Sequence, residues 1–370
     1  QIVLVTGAGG SIGSELCRQI VKIKPKALIL CELNEFSLYK IFEELNTINQ
    51  KLKIIPLIFN VQDENKVNEV LKIFKVETVY HAAAYKHVPL VESNICEGVL
   101  NNVFGTYSVV KACIQQHVSN FVLISSDKAV RPTNIMGATK RLSEICMQAL
   151  YHQDLSKKIN MSIVRFGNVL ESSGSVIPKF KQQIKQGGPI TLTHPEVTRY
   201  FMTITEAAEL VIQAGAMSKN GDVFVLDMGK SVKIKDLIEH IIYLSGLSVK
   251  DEKYPEGDIE IKIIGLRPGE KLYEELLLGE NPQPTEHPKI QKTQDLFTPF
   301  DKLKKDLDTL KSMSTNHQVV AVKKMLEKMV SSYVSEYEIV DYTHMEQEGL
   351  MNHEKSPTNK QFGKITGINK

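Results

Sequence analysis

The chain lacks a surplus of either charge: 45 Lys and Arg against 43 Asp and Glu leave +2 over 370 residues. A chain this close to neutral has no field to hold polyanions nonspecifically, which argues against a general nucleic-acid or membrane-surface binder. It also lacks a run of the roughly 18–20 apolar residues that a membrane span requires, and its first residues carry no signal-peptide pattern. Paired cysteines are missing too. Cys17, Cys31, Cys96, Cys113 and Cys146 stand in apolar or helical contexts without a Cys-x-x-Cys pair, so buried, reduced thiols in a cytoplasmic protein are expected, and no metal site. No methionine precedes Gln1-Ile2-Val3-Leu4-Val5, which already reads as a buried strand; the expectation is the C-terminal portion of a longer protein. What is present, 42% apolar and 24% charged residues, is the make-up of an ordinary globular protein.

Short apolar runs rich in β-branched residues predict strands at 2–5, 27–31, 53–59, 78–84, 121–126 and 162–166. Helical periods lie between them: Ile12, Leu16, Ile20 and Ile23, then Val67, Val70, Leu71 and Phe74. Alternating strands and helices give βαβ units and a doubly wound parallel sheet of Rossmann type. The rhythm breaks near Gly167, followed by Gly174, Pro178, Gly187, Gly188 and Pro189 and by helices expected at 206–217, 235–245 and around 319–330. We expect a dinucleotide-binding domain over 1–167, a smaller mixed α/β substrate-binding portion over 168–340 that partly returns to the first domain, and a polar tail over 341–370.

Thr6-Gly7-Ala8-Gly9-Gly10-Ser11-Ile12-Gly13 stands between the first strand and the first helix. Gly7, Gly10 and Gly13 allow a tight turn, close approach of backbone to a pyrophosphate and close helix–strand packing. Unpaired N–H groups of Ser11, Ile12 and Gly13 at the helix start then face the phosphates. Glu32 ends the second strand, where a carboxylate accepts from the adenosine ribose hydroxyls and repels a 2′-phosphate, favouring NAD over NADP. Asp63, after the third strand, is a candidate adenine contact.

The Thr-Gly-x-x-Gly-x-x-Gly form resembles the short-chain dehydrogenase/reductase superfamily. Asn101-Asn102-Val103-Phe104-Gly105-Thr106 is similar to an element of its extended branch, and His81-Ala82-Ala83-Ala84 to the loop beside the nicotinamide. More narrowly, the blocks at 81–90, 124–136, 165–170, 174–180 and 266–273 resemble the UDP-N-acetylglucosamine 4,6-dehydratases of bacterial glycan synthesis, in the same order over roughly residues 1 to 280. Tyr107-x-x-x-Lys111 imitates the superfamily's catalytic pair but precedes the fifth strand; at the proper place stand Met136 and Lys140. Methionine there resembles the large membrane-tethered subset, which implies an upstream tether, retention of the C5 configuration and a homo-oligomer. Met136 relays no proton, and Lys140 is expected to hold the nicotinamide ribose.

In such a reaction C4 is oxidised, water is eliminated across C5 and C6, and C6 is reduced, with the cofactor carrying the redox chemistry. An acid and a base must stand side by side. Asp127 and Lys128, at a strand end, resemble that pair: Asp127 as acid toward the C6 oxygen, and Lys128 as base at C5 with its amine freed by a lowered proton affinity. Ser126 can hydrogen-bond the C4 oxygen, and the proton of that hydroxyl has Asp127 or a water as alternative acceptors. The resemblance further implies substrate contacts from Lys86, Asn168, Ser175, Val176, Lys179, Thr191, Thr193, Arg199, Arg267 and Glu270, the arginines gripping the diphosphate. Glu171 occupies a position where relatives carry glycine. A nucleotide-sugar 4-epimerase needs no acid at C6 and keeps the tyrosine; a C5-inverting dehydratase and a scaffold without turnover are the other rivals.

Overall fold

The computed structural model describes residues 1–350 apart from 155–157, 220, 268, 276–281, 294, 296–297 and 336. The first half alternates strictly. In order come β1 (Ile2–Thr6), α1 (Ser11–Lys22), β2 (Ala27–Glu32), α2 (Glu35–Ile48), β3 (Lys53–Ile58), α3 (Glu64–Phe74) and β4 (Thr78–His81). Two short helices, α4 (Val88–Glu92) and α5 (Ile95–Val99), run through a π-helical turn at Leu100–Phe104 into α6 (Gly105–Gln115), followed by β5 (Asn120–Ile124), α7 (Ile135–Gln153) and β6 (Asn160–Arg165). The strands are short and β-branched, and most are buried on both faces, as a covered parallel sheet requires.

The second half contributes β7 (Asn168–Val169), α8 (Val176–Lys185), β8 (Ile190–Leu192), β9 (Thr198–Arg199), β10 (Phe201–Met202) and α9 (Ile204–Met217). Then follow β11 (Asp222–Leu226), β12 (Val232–Lys233), α10 (Ile234–Leu244), β13 (Val249–Lys250), β14 (Ile259–Ile263), β15 (Gln283–Pro284) and β16 (Ile290–Thr293). Helices α11 (Phe300–Thr315), α12 (Val319–Met329) and α13 (Tyr342–Gln347) close the described chain.

One sheet in the order β15-β16-β11-β6-β5-β4-β1-β2-β3 carries the molecule, parallel from β3 to β11 and antiparallel at β16 and β15. Residues of α1, α2 and α9 pack one face, and those of α3, α6 and α7 the other. Strand β11 and helix α9 thus return from the second half to complete the first. A separate apolar core, formed by Phe180 of α8, Ile190 of β8, Ile238 of α10 and Ile259 of β14, builds the smaller unit beside the sheet's C-terminal edge. Helices α11 and α12 pack through Leu307, Leu310, Val322 and Leu326 against the α7 side, so the methionine-bearing stripe is core.

Two expectations change. The fourth strand stops at His81 rather than Ala84, since residues 82–87 leave the sheet for the cavity mouth. The polar tail does not begin at 341: Asp341 is buried, accepts from the Ile95 N–H at 3.1 Å and caps α13. Residues 351–370 lie outside the described residues. The five cysteines are free and buried, and no helix among the described residues is long and apolar enough to cross a membrane.

Candidate active site

At the C-terminal edge of the sheet, between the glycine loop and the smaller unit, lies a cavity of about 910 Å³. Ligands of open α/β sheets bind in this crevice. Its floor is the cradle. An added Cβ at Gly13 would sit 1.9 Å from the Gly7 oxygen and one at Gly7 2.8 Å from Ala83 N, so both positions exclude a side chain. Gly10 caps α1 without a side-chain hydrogen bond, no acidic residue occupies the first turn, and Ser11, Ile12 and Gly13 line the cavity. This donor-rich helix start suits a pyrophosphate. Glu32 lies beside the cradle, Oε2 accepting from Gly9 N–H at 3.0 Å and Oε1 from Leu33 and Asn34 N–H at 2.8 and 3.0 Å.

Gly7, Gly10, Ala82, Ala84 and Lys140 are also on the wall, and every expected substrate contact, from Lys86 and Asn168 to Arg267 and Glu270, lines the same cavity. Other expected cofactor contacts are turned elsewhere. Asp63 caps α3, accepting from Lys66 N–H at 3.0 Å. Asn102 is buried and fully engaged: its Oδ1 accepts from Tyr85 N–H at 2.7 Å while Nδ2 donates to the Tyr85 carbonyl and Thr139 Oγ1. It fixes the loop after β4 onto α7. Ala83 packs behind Gly7 and donates its N–H to Thr6 Oγ1. Tyr107 stacks on Phe300 and Lys111 pairs with Glu64, away from the cavity.

Strand β5 ends at Ile124, and Ser126 caps the tight turn Asp127–Ala129 by accepting from Lys128 N–H at 3.2 Å. Asp127 is completely buried, one layer behind the wall formed by Ser126, Lys128 and Gly167. Its Oδ1 accepts from Ser126 Oγ at 2.8 Å and Lys128 Nζ at 3.1 Å; Oδ2 has no partner among the described residues. Burial pushes this carboxyl above the usual range, against the pull of Lys128. The expected acid is therefore beside the cavity, not in it.

Lys128 overturns its expectation. Burial would lower its ammonium, but the Asp127 and Glu274 carboxylates outweigh that and hold it above the ordinary lysine range. Glu274, which the sequence reading passed over, reaches Lys128 Nζ at 3.4 Å and Arg199 Nε at 3.6 Å. No local pattern marks it, because only the fold brings the segment after β14 to β5. Lys140 takes the opposite course: burial lowers it to about 8, and Nζ donates to the Ile124 carbonyl at 2.5 Å. Met136, on the first turn of α7, is a buried part of the wall.

The far end is cationic. Burial, then the charge of Arg267, lowers the Lys179 ammonium, a repulsion that an anion between them would relieve. Arg199 Nη2 donates to Glu270 Oε1 at 3.3 Å, and that oxygen also accepts from Thr193 Oγ1 at 3.0 Å. Ser175 Oγ and Arg267 Nε are buried without partners among the described residues. Groups stripped of water and left unsatisfied at a cavity wall are suited to a polar ligand. Glu171 takes a left-handed φ of 59°, accounting for glycine's suitability there.

Comparison with known proteins agrees with this geometry. Residues 3–295 match the family described as polysaccharide biosynthesis protein. Capsular polysaccharide biosynthesis protein CapD of Staphylococcus aureus is 55% identical over 276 residues, 74% of this chain and 45% of CapD, so the chain spans less than half the length of that relative. The X-ray structure of Pen from Bacillus thuringiensis superposes with a TM-score of 0.67 at 36% identity, covering 75% of this chain and 83% of Pen. DesIV of Streptomyces venezuelae, a dTDP-glucose 4,6-dehydratase crystallised with NAD and TYD, shares the fold at a TM-score of 0.64 and 19% identity over 77% of this chain and 93% of DesIV. The chain belongs to the polysaccharide biosynthesis family, built on the extended short-chain dehydrogenase/reductase fold.

Proposed function

We propose that the chain catalyses the NAD-dependent 4,6-dehydration of UDP-N-acetylglucosamine to a 4-keto-6-deoxy sugar, with the C5 configuration retained. The observation that carries this reading is the trio Ser126, Asp127 and Lys128 at the end of β5, across the cavity from the phosphate cradle. When bound, NAD supplies reversible oxidation and reduction of the sugar. Gly7, Gly10, Ser11, Ile12 and Gly13 would hold its pyrophosphate, Glu32 the adenosine ribose and Lys140 the nicotinamide ribose.

Asp127, whose proton affinity burial raises, is the acid for the departing C6 oxygen. Ser126 stands between it and the cavity; its hydroxyl, which donates to Asp127 Oδ1 at 2.8 Å, turns to the departing oxygen, gives up its proton there and takes the Asp127 proton in its place. Lys128 takes the C5 proton and returns it to the same face, which retains configuration. Positioned proton transfers of this kind contribute roughly 10²–10⁴ in rate each. Arg199, Arg267 and Lys179 hold the diphosphate, with Thr191, Thr193 and Glu270 at the nucleoside and Lys86 and Asn168 at the sugar. A 4-epimerase has no use for an acid at C6.

The test is incubation with UDP-N-acetylglucosamine, following 4-keto sugar absorbance in base and proton NMR of the fresh product in deuterated water. Appearance of the 4-keto gluco product supports the proposal. Recovery of a 4-epimer alone, or unchanged substrate, rejects it.

A further inference from the structure

The carboxylate that faces Lys128 opposite Asp127 comes from a segment remote in sequence. The stretch after β14 is tied across the cavity mouth, where the Leu272 carbonyl accepts from Thr198 N–H at 3.2 Å and Lys271 Nζ donates to the Val130 carbonyl at 3.0 Å. It carries Glu274, whose side chain is 4% exposed. One oxygen, Oε1, lies 3.4 Å from Lys128 Nζ and 3.6 Å from Arg199 Nε. The other, Oε2, is buried without a hydrogen-bond partner among the described residues. The charged groups around it are Lys128 and Asp127 from the turn after β5, Arg199 from β9 and Lys271 from its own segment. Glu274 therefore touches both the amine assigned to C5 and a guanidinium assigned to the diphosphate.

We propose that Glu274 is the positioning residue that takes the ammonium proton of Lys128, freeing the amine for C5, and that the diphosphate sets off this transfer by drawing Arg199 away from Glu274. The inference rests on the dehydratase reading above. Paired with the Glu274 carboxylate, Lys128 enters the reaction protonated, and a base must first lose that proton. Transfer from Nζ to the Glu274 carboxylate leaves the electron pair on nitrogen and turns an ion pair into two neutral groups. In a site poor in water, that exchange becomes favourable once the compensating guanidinium leaves and phosphate charge arrives. The amine then accepts the C5 proton, and the C–H electron pair passes into the enolate of the 4-keto sugar. After elimination the ammonium returns its proton to C5. When product leaves and Arg199 comes back, Glu274 returns its proton to Lys128, and the cycle balances.

The experiment is the pH dependence of kcat and KM for 4-keto sugar formation by the wild type, E274Q and E274D, with NAD content and unfolding midpoint recorded for each. The relay predicts that E274Q loses about 100-fold in kcat near neutral pH with KM changed less than about threefold, and regains activity as pH rises, its acidic limb displaced upward by roughly one unit or more. E274D, which keeps a carboxylate, is expected to retain about a tenth of kcat or better with a smaller upward displacement. A structural or purely electrostatic role gives the other sign: without the negative charge Lys128 releases its proton more easily, so the limb moves down, or kcat falls equally at every pH. Either result overturns the proposal, as does wild-type kcat in E274Q. If E274Q does not fold, E274D decides, an unmoved limb rejecting the relay and an upward shift supporting it. A wild type that makes no 4-keto sugar refutes the dehydratase reading itself, and the relay with it.

Discussion

At the scale of single residues, the site depends on how burial sorts ionisable groups. Asp127 is pushed up, Lys140 is brought down to about 8, and Lys128 is held up by two neighbouring carboxylates. Three groups near one strand end thus have their proton affinities moved in different directions by their surroundings. Asp127→Asn and Lys128→Met are each expected to lower 4-keto formation by at least ~10³-fold while NAD stays bound, as read from product absorbance and cofactor content. Glu171 offers a stability counterpart. Its left-handed φ of 59° strains a non-glycine residue on an exposed loop, so Glu171→Gly should raise the thermal midpoint by roughly 1–2 °C in a calorimetric scan. The Asp127–Lys128 pair was legible because it is contiguous and sits at a predicted strand end. Glu274 was not, since only the fold brings it to Lys128, and the charge state of Lys128 depends on Glu274 as well as on the adjacent Asp127.

At the scale of elements, one buried imidazole pins three pieces together. His81 at the end of β4 lies 2.7 Å from Thr6 Oγ1 of β1 through Nδ1 and 3.1 Å from Thr106 Oγ1 of α6 through Nε2. Burial, then the charge of Lys140, pushes it down to about 3 from its ordinary 6.5. The unfolded chain therefore binds the extra proton between those values. Stability from this group is complete above about pH 6.5 and is lost as pH falls toward 3, a change on the order of 5 kcal/mol. Urea unfolding at pH 7 and pH 4.5 should show a shallower acid loss in His81→Asn than in the wild type. The glycine loop makes a second demand. Gly13→Ala would drive a methyl to 1.9 Å from the Gly7 oxygen, and it is expected to cost roughly 1–3 kcal/mol and to weaken NAD binding more than about tenfold by titration. Of the six strands that β-branched runs predict, all but β4 end within about two residues of the observed bounds, while the two-residue strands after β6 are too short to carry such a run. The roles given to Asp63 and Asn102 were not, because short polar side chains satisfy nearby backbone as readily as a ligand.

At the scale of the whole molecule, the crossings between halves matter more than a boundary near residue 167. Strand β11 and helix α9 complete the sheet, while the unit built on α8, β8, α10 and β14 hangs beside its edge. Alternating patterns foretold the sheet, but the return of later segments depends on strand order, which periodicity does not encode. Asp341 shows the same gap: a residue in a polar stretch proves buried because it satisfies the Ile95 N–H of α5. Asp341→Ala is expected to cost about 1–2 kcal/mol in denaturant unfolding by uncapping α13 and orphaning that donor. One further crossing joins the cradle to the opposite unit: Ser11 Oγ accepts from Ser173 N–H at 3.0 Å and lies 3.3 Å from Ser173 Oγ. Under the proposed reading, a dinucleotide held at the cradle would lie against the loop that carries Ser173, and the clasp would have to open for its release. Catalyst and oxidant would then travel as one body through successive cycles, an economy suited to the proposed chemistry, which ends each round with its oxidant restored.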